Sequence, residues 1–590
     1  MRFWNWIYRH FHWIGERILK WFPNISDSVK KSGIHVHSEV YASFTGFMFL
    51  VSLVASISLI VLAVFLFHNP LLVIILVILP TIVLLLMVSL PSLIATSRAS
   101  SIDGEFPFLS AYLSTMVMSG LSPYIAFERV LRGSIIFKRS SELAQRFILL
   151  SRVLGRDPLT AFDELSQRVA SSRVKETLSG YIATVKAGGD VIDYLNKRSR
   201  LLFNEMLVGM KIIADRLGGL LEAYLAMVLL TMISFTVLYF VTTGFAGVVP
   251  FGLSSGGMYF FLYIVMPLLS GVIIYLADLL QYKDPYMDWK PYMVFFATFI
   301  PIILVLSLFG IFFYLMLPPY NPLRLNPVTQ FIGEMLLLFG VGNPPGYMYS
   351  TIALSTALII ATIPGFIYYL YVSREYKVVR GITRFLRDLV EVRKTGLPPE
   401  RSIIELSSRD YGVFTQYLRK AAMELSIGVP LRRIIDELMK KIRSWTGQVL
   451  LFILTDSIEV GGGTVEVLEN LAWFAESVEA IEDEKKRSLR TLMIVPYMGG
   501  ILSAVTVIYM VSYMAKLPVQ VGAFGQAAGL VLPSIVLTGL VLPSIVLNNY
   551  IMGLVAGKIS SGRLIAGLFH AILLTLITLA AILVSPLFTG

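Results

Sequence analysis

Apolar residues in this chain come as long unbroken blocks, set apart by two extended polar intervals. Nine blocks, near 41–67, 71–95, 219–243, 258–280, 291–317, 347–372, 491–514, 525–547 and 564–586, reach the roughly 20 residues an α-helix needs to cross a hydrocarbon core of about 30 Å. The intervals 97–216 and 374–490 hold nearly all the charge. The first has 17 Lys/Arg against 12 Asp/Glu and the second 20 against 18, together 37 of the 49 basic and 30 of the 38 acidic residues. Inside both intervals apolar positions recur three and four apart, as in Leu109, Leu113 and Met116 and in Phe385, Leu389 and Val392. Breaks fall at Gly and Pro, and no sustained period-two alternation occurs. The pattern predicts an all-α, polytopic membrane protein with about nine transmembrane helices and two helical bundles outside the bilayer.

The expected divisions are a segment at 1–40, a transmembrane hairpin at 41–95, a first charged domain at 96–217, a transmembrane region at 218–373, a second charged domain at 374–490 and a C-terminal transmembrane region at 491–590. The first 40 residues carry six Lys/Arg and three Asp/Glu, so the positive-inside rule places them in the cytoplasm. Nine crossings of the cell membrane then place both charged domains there too. The segment 318–346, rich in Pro and Gly, falls outside, and its FIGEMLLLFG stretch reads as a re-entrant or surface helix. At the N-terminus Phe3, Trp4, Ile7, Tyr8, Phe11, Ile14, Ile18 and Trp21 recur at helical spacing between Arg2, Arg9, Arg17 and Lys20. That suits an amphipathic helix lying among lipid headgroups, or one packed on the protein's own soluble domain. The segment has no uninterrupted apolar core or small-residue cleavage site of a secretory signal.

Composition narrows the chemistry. With no cysteine, disulfides, thiolate metal sites and cysteine nucleophiles are excluded. The net charge of +11 is accounted for by cytoplasmic anchoring of the spans and does not argue for nucleic acid. His10 with His12 and His35 with His37 lack the further ligands a metal needs. Gly553 to Ser560 (GLVAGKIS) fails as a phosphate-binding P-loop. It has three residues between its glycines, and Ile559 stands where Ser or Thr should follow the lysine. It reads instead as a cytoplasmic turn whose glycines allow close helix approach. Catalytic, cofactor and metal residues are accordingly expected to be none. The spans contain two carboxylates, Glu222 and Asp278, both near cytoplasmic ends, which argues against a coupled transporter with cytoplasmic regulatory domains, the alternative reading.

The two charged intervals share landmarks. Ser119-Gly120-Leu121-Ser122-Pro123 is answered by Thr395-Gly396-Leu397-Pro398-Pro399 at an offset of 276. Asp163-Glu164-Leu165 is answered by Asp436-Glu437-Leu438, and Gly188-Gly189 with Leu195 by Gly461-Gly462 with Leu468, both at 273. A nearly constant offset over about 80 residues reads as duplication. This order of motifs, each followed by membrane helices, resembles the F-domain family of type II secretion systems. The run from Tyr550 through Gly553, Gly557, Lys558 and Gly562 to His570 looks like the archaeal branch, which serves archaella and adhesive pili.

The resemblance implies two small cytoplasmic bundles of about six helices and an inner-membrane platform that hydrolyses nothing itself. It implies a hexameric cytoplasmic secretion ATPase, pilin-like subunits and membrane lipid as partners, and a homodimer. On that basis Lys485, Lys486, Arg487, Arg432 and Arg433 are the candidate ATPase contacts. Gly461, Gly462 and Gly463 are either a hinge for the helix that follows or a cap on the one before. If that helix runs unbroken from 464 to 514 it forms a lever of about 75 Å. His570 in the last span is expected to hydrogen-bond between helices.

Overall fold

A computed structural model describes residues 2–34, 36–66, 70–244, 255–281, 288–338, 348–375, 377–461, 463–521 and 528–589. Among them no strand occurs, and nine helices are long and apolar enough to cross a membrane. The all-α, polytopic expectation therefore holds. The chain divides into two compact units, Met1–Leu202 with Leu451–Leu471 and Phe203–Leu450 with Ala472–Gly590.

In the first unit α1 (Arg2–Trp21), α2 (Asn24–Ser32) and α3 (Ser38–Leu66) lead into α4 (Pro70–Met118). Part of the apolar stripe of α1 packs on the protein itself. Ile7 and Ile18 are buried, and the helix lies against α3 where glycine removes the obstacle. A Cβ on Gly15 would stand 2.5 Å from Ser43 Oγ, and one on Gly46 2.5 Å from Ile14 Cγ2. The outward aromatics are Trp6, Tyr8, Trp13 and Trp21, interleaved with exposed Arg9 and Arg17. The first bundle continues from α4 into α5 (Pro123–Arg129), α6 (Lys138–Ile148), α7 (Pro158–Arg168), α8 (Ser172–Lys186) and the start of α9 (Val191–Gly244). Its core stacks Phe147 on Phe162 at 4.2 Å, with Phe127 edge-on to both. Helix α7 starts where Asp157 Oδ2 accepts from the Leu159 and Thr160 amides and Pro158 occupies the first turn.

The second unit opens with α9 from Phe203 onward and continues through α10 (Ser255–Phe260), α11 (Met266–Leu280), α12 (Lys290–Val305), the short α13 (Pro322–Leu325), α14 (Pro327–Leu336) and α15 (Tyr349–Glu375). The FIGEMLLLFG stretch is thus partly helical, and Leu336 is fully buried. The second bundle is α16 (Val378–Lys394), α17 (Pro399–Leu406), α18 (Phe414–Ser426), α19 (Leu431–Lys441), α20 (Trp445–Gly461) and α21 (Val465–Leu492). The remaining helices are α22 (Ile494–Val521), α23 (Ala528–Ser561) and α24 (Gly567–Thr589). The repeat is visible helix for helix: α4 to α9 correspond to α16 to α21. Gly120 at φ 98° and Gly396 at φ 90° turn the chain at equivalent corners. Leu165 and Leu438 of the two Asp-Glu-Leu motifs are both buried, with the acids turned outward.

Two expectations are corrected. The helix from 464 to 514 is not continuous: α21 ends at Leu492 and α22 starts at Ile494. Pro496 lacks an N–H and its ring crowds the carbonyl four residues back, that of Leu492, which is where the helix stops. In the first repeat no proline interrupts α9, which runs 54 residues, about 80 Å. The region from Gly553 to Ser561 is likewise not a turn but the end of α23. Its glycines do serve close approach, because a Cβ on Gly553 would be 2.3 Å from Ala571 Cα and one on Gly557 1.9 Å from Gly567 Cα. His570 Nδ1 meets Tyr497 Oη at 2.6 Å, the interhelical bond expected of it.

Candidate functional site

Lys485, Lys486 and Arg487 are consecutive on α21, so successive side chains point about 100° apart. Lys486 is exposed and stands 4.0 Å from Glu482 one turn earlier. Arg487 turns with Arg490 toward a groove whose floor is Ile494, Met498 and Ile501. Lys485 turns the other way, into a cavity with Arg443 and Arg563. Arg432 and Arg433 lie on α19, each facing a carboxylate on its own helix, Asp436 at 3.4 Å and Glu437 at 3.9 Å. Such pairs within one helix contribute a few tenths of a kcal/mol. The five basic residues are therefore two clusters on two helices.

The acidic side of α21 is already engaged. Arg380 on α16 reaches Glu479 and Asp483, both at 3.1 Å, and Arg387 reaches Glu476 at 2.6 Å. Thr383 and the Ala475 carbonyl meet beneath them. Beyond these pairs, the basic end of α21 exposes Lys486, Arg487 and Arg490.

Of the glycine joint, Gly462 lies outside the described residues. Gly461 ends α20, and a Cβ there would come within 2.9 Å of the Ser119 carbonyl oxygen. Gly463 adopts φ 59°, the left-handed conformation that glycine reaches without steric cost. Both positions thus have a packing or turning reason to be glycine.

Sequence reasoning missed the most deeply buried charge of the first unit. The run from Val449 to Ser457 is buried on every side, and Asp456 within it has no exposure. Arg129 grips it with two bonds, Nη2 to Oδ1 at 3.0 Å and Nε to Oδ2 at 3.3 Å, while Tyr112 Oη donates to Oδ2 at 2.6 Å. Arg132 and Glu459 extend the network at 3.2 Å. Burial works to lower the Arg129 pKa, but the bond and charge of Asp456 outweigh it and the guanidinium is held above its usual value. The signal was a lone Asp in an apolar helix; its duplicate position is Ala183, which is exposed. So the Leu451–Gly461 part of α20, from the second charged interval, packs into the unit built on the first. Arg98 is a second missed clamp, donating to the Ser32 carbonyl at 2.9 Å and to Glu142 at 2.6 Å.

Among the described residues no group of three or more His, Asp or Glu is placed to hold a metal ion. The family model "Type II secretion system (T2SS), protein F" matches this chain twice, at residues 109–239 and 385–512, each time a bundle with the membrane helix that follows it. An uncharacterized protein of Methanocaldococcus jannaschii is 20% identical over 536 residues, which span 84% of this chain and 82% of that protein. No solved structure matches. With nine candidate spans the chain is a multi-pass membrane protein, and two of its regions, each a bundle with its following membrane helix, are similar to the type II secretion system protein F family.

Proposed function

We propose that this chain is the membrane platform of an archaeal type IV pilus-like or archaellum system, coupling a hexameric cytoplasmic secretion ATPase to insertion of pilin-like subunits into a filament. The observation that carries the reading is the doubled F domain, each copy a charged bundle continuing into membrane helices. Both bundles and the N-terminus face the cytoplasm of the cell membrane, and the platform works as a homodimer. ATP turnover belongs to the partner. The basic end of α21, Lys485, Lys486 and Arg487, and the α19 pair Arg432 and Arg433 meet acidic faces of the ATPase. The joint at Gly461, Gly462 and Gly463 lets α21 move relative to α20 as the ATPase cycles.

Deletion of the gene tests this reading: filaments disappear by electron microscopy while solute uptake is unchanged, and the tagged chain co-purifies the ATPase. Loss of uptake with filaments intact would replace it with the transporter reading. Reversal of all five charges, K485E, K486E, R487E, R432E and R433E, should abolish filaments and ATPase co-purification while the protein stays inserted and abundant. Normal filaments from that variant would remove these residues from the contact.

A further inference from the structure

A cavity of about 310 Å³ opens in the second unit where four separate stretches of chain converge. They are the end of α15, the turn into α20, the Glu482–Lys486 stretch of α21 and the link between α23 and α24. Its walls carry Lys377, Arg443, Lys485, Lys486 and Arg563, against one carboxylate, Glu482. Hydroxyls of Ser444 and Ser561 are among the remaining lining groups. Two of the cations lean on carboxylates: Arg443 Nη1 is 3.5 Å from Asp288, and Lys486 is 4.0 Å from Glu482. Lys377 and Lys485 have no ion-pair partner among the described residues.

The backbone is shaped for this arrangement. Gly562 turns the chain at φ 75°, and Lys485 Nζ lies only 3.5 Å from where a Cβ on Gly562 would stand. Five like charges gathered in one concavity repel one another, and a scatter of membrane anchors would spread along the rim instead. Lysine, arginine and hydroxyl donors converging on one hollow make the donor set that holds phosphate oxygens. Depth identifies the source. Ser560–Arg563 joins two candidate spans, Ser373 lies in the last turn of α15, and the apolar run of α22 begins only a few residues after Lys486. That is the level of lipid headgroups on the basic side of the membrane.

We propose that this cavity binds a phosphate group, supplied by the headgroup of an anionic phospholipid lodged between α15, α21 and the α23–α24 link. The site goes beyond the platform reading and does not depend on it, since a lipid held there would fix the second bundle to the bilayer whatever partner the bundle meets. The test uses the full chain purified in detergent without any ATPase. Native mass spectrometry should show retention of phosphatidylglycerol but not phosphatidylcholine. K485Q with R563Q should lower that retention roughly 25-fold, and K485R with R563K should restore it. Circular dichroism of both double variants confirms the helical fold. Failure of millimolar inorganic phosphate to displace the lipid supports the headgroup source; displacement, with phosphorus NMR broadening lost in K485Q/R563Q, assigns the same cavity to a free phosphate. Equal retention of both lipids, or of phosphatidylglycerol by the wild type and the neutral variant, with no phosphate broadening, would overturn the site.

Discussion

Asp456 shows what a single buried charge demands. Removing one partner of a buried ion pair leaves the other desolvated and uncompensated, which costs about 3–5 kcal/mol. Arg129→Met and Asp456→Leu should therefore each lower the thermal unfolding midpoint of the detergent-solubilised protein sharply, while the double variant recovers most of the loss. If the double variant is as damaged as the singles, the pair is not the interaction holding α20 in the first unit. Glu142 gives a pH signature in the same unit. Burial would raise its pKa, but the hydrogen bonds and charges of Arg98 and Arg139 outweigh it and hold the carboxyl below its usual value. A depressed carboxylate stabilises the fold above its unfolded pKa of about 4.3, and that contribution fades as the pH falls through the folded value. Wild type should lose stability on acidification below about pH 4.3 more steeply than Glu142→Gln, measured by protease resistance. Neither pairing was legible beforehand. The odd Asp in an apolar run could be seen, but Arg129 lies 327 residues away, and only the folded chain brings the two together.

At the scale of elements the sequence was more open. Helix starts at Pro123 and Pro158, glycine corners at Gly120 and Gly396 and nine long apolar helices all follow from local chemistry. Gly120→Ala and Gly396→Ala should each destabilise by about 1–2 kcal/mol, since both need a left-handed backbone. Gly219→Ala, inside α9 with nothing within 4 Å of its added Cβ, should be neutral or slightly stabilising. Thermal shifts that fail to separate these three variants would contradict the backbone assignment. Gly557→Leu should be far worse than any of them, because α24 backbone occupies the space its side chain needs. Boundaries were where reading failed. Pro496 lies inside an apolar run yet ends the helix at Leu492, while the glycines of α23 serve the close helix approach expected of them from within a helix rather than from a turn. In both cases one residue type has two uses, and packing decides between them.

For the whole molecule, duplication was the most legible property, because nearly constant offsets survive when individual residues diverge. The copies have nonetheless acquired different duties. α20 is buried with its aspartate, whereas the equivalent stretch of α8 presents exposed Ala183. α9 is one unbroken helix, whereas its counterpart divides into α21 and α22. Sequence comparison alone could not show that Leu451–Leu471 would join the compact unit of Met1–Leu202. Sidedness is the property the proposed coupling role needs most: a cytoplasmic ATPase could act on both F-domain regions only if both reach the same compartment. The chain contains no cysteine, so single thiols can be placed at will. Leu154→Cys and Ile427→Cys, both at exposed positions of the two bundles, can be challenged with a membrane-impermeant maleimide on intact cells and again after the membrane is opened. Protection of both before opening and labelling of both afterwards is the predicted result; labelling of either one on intact cells would contradict it.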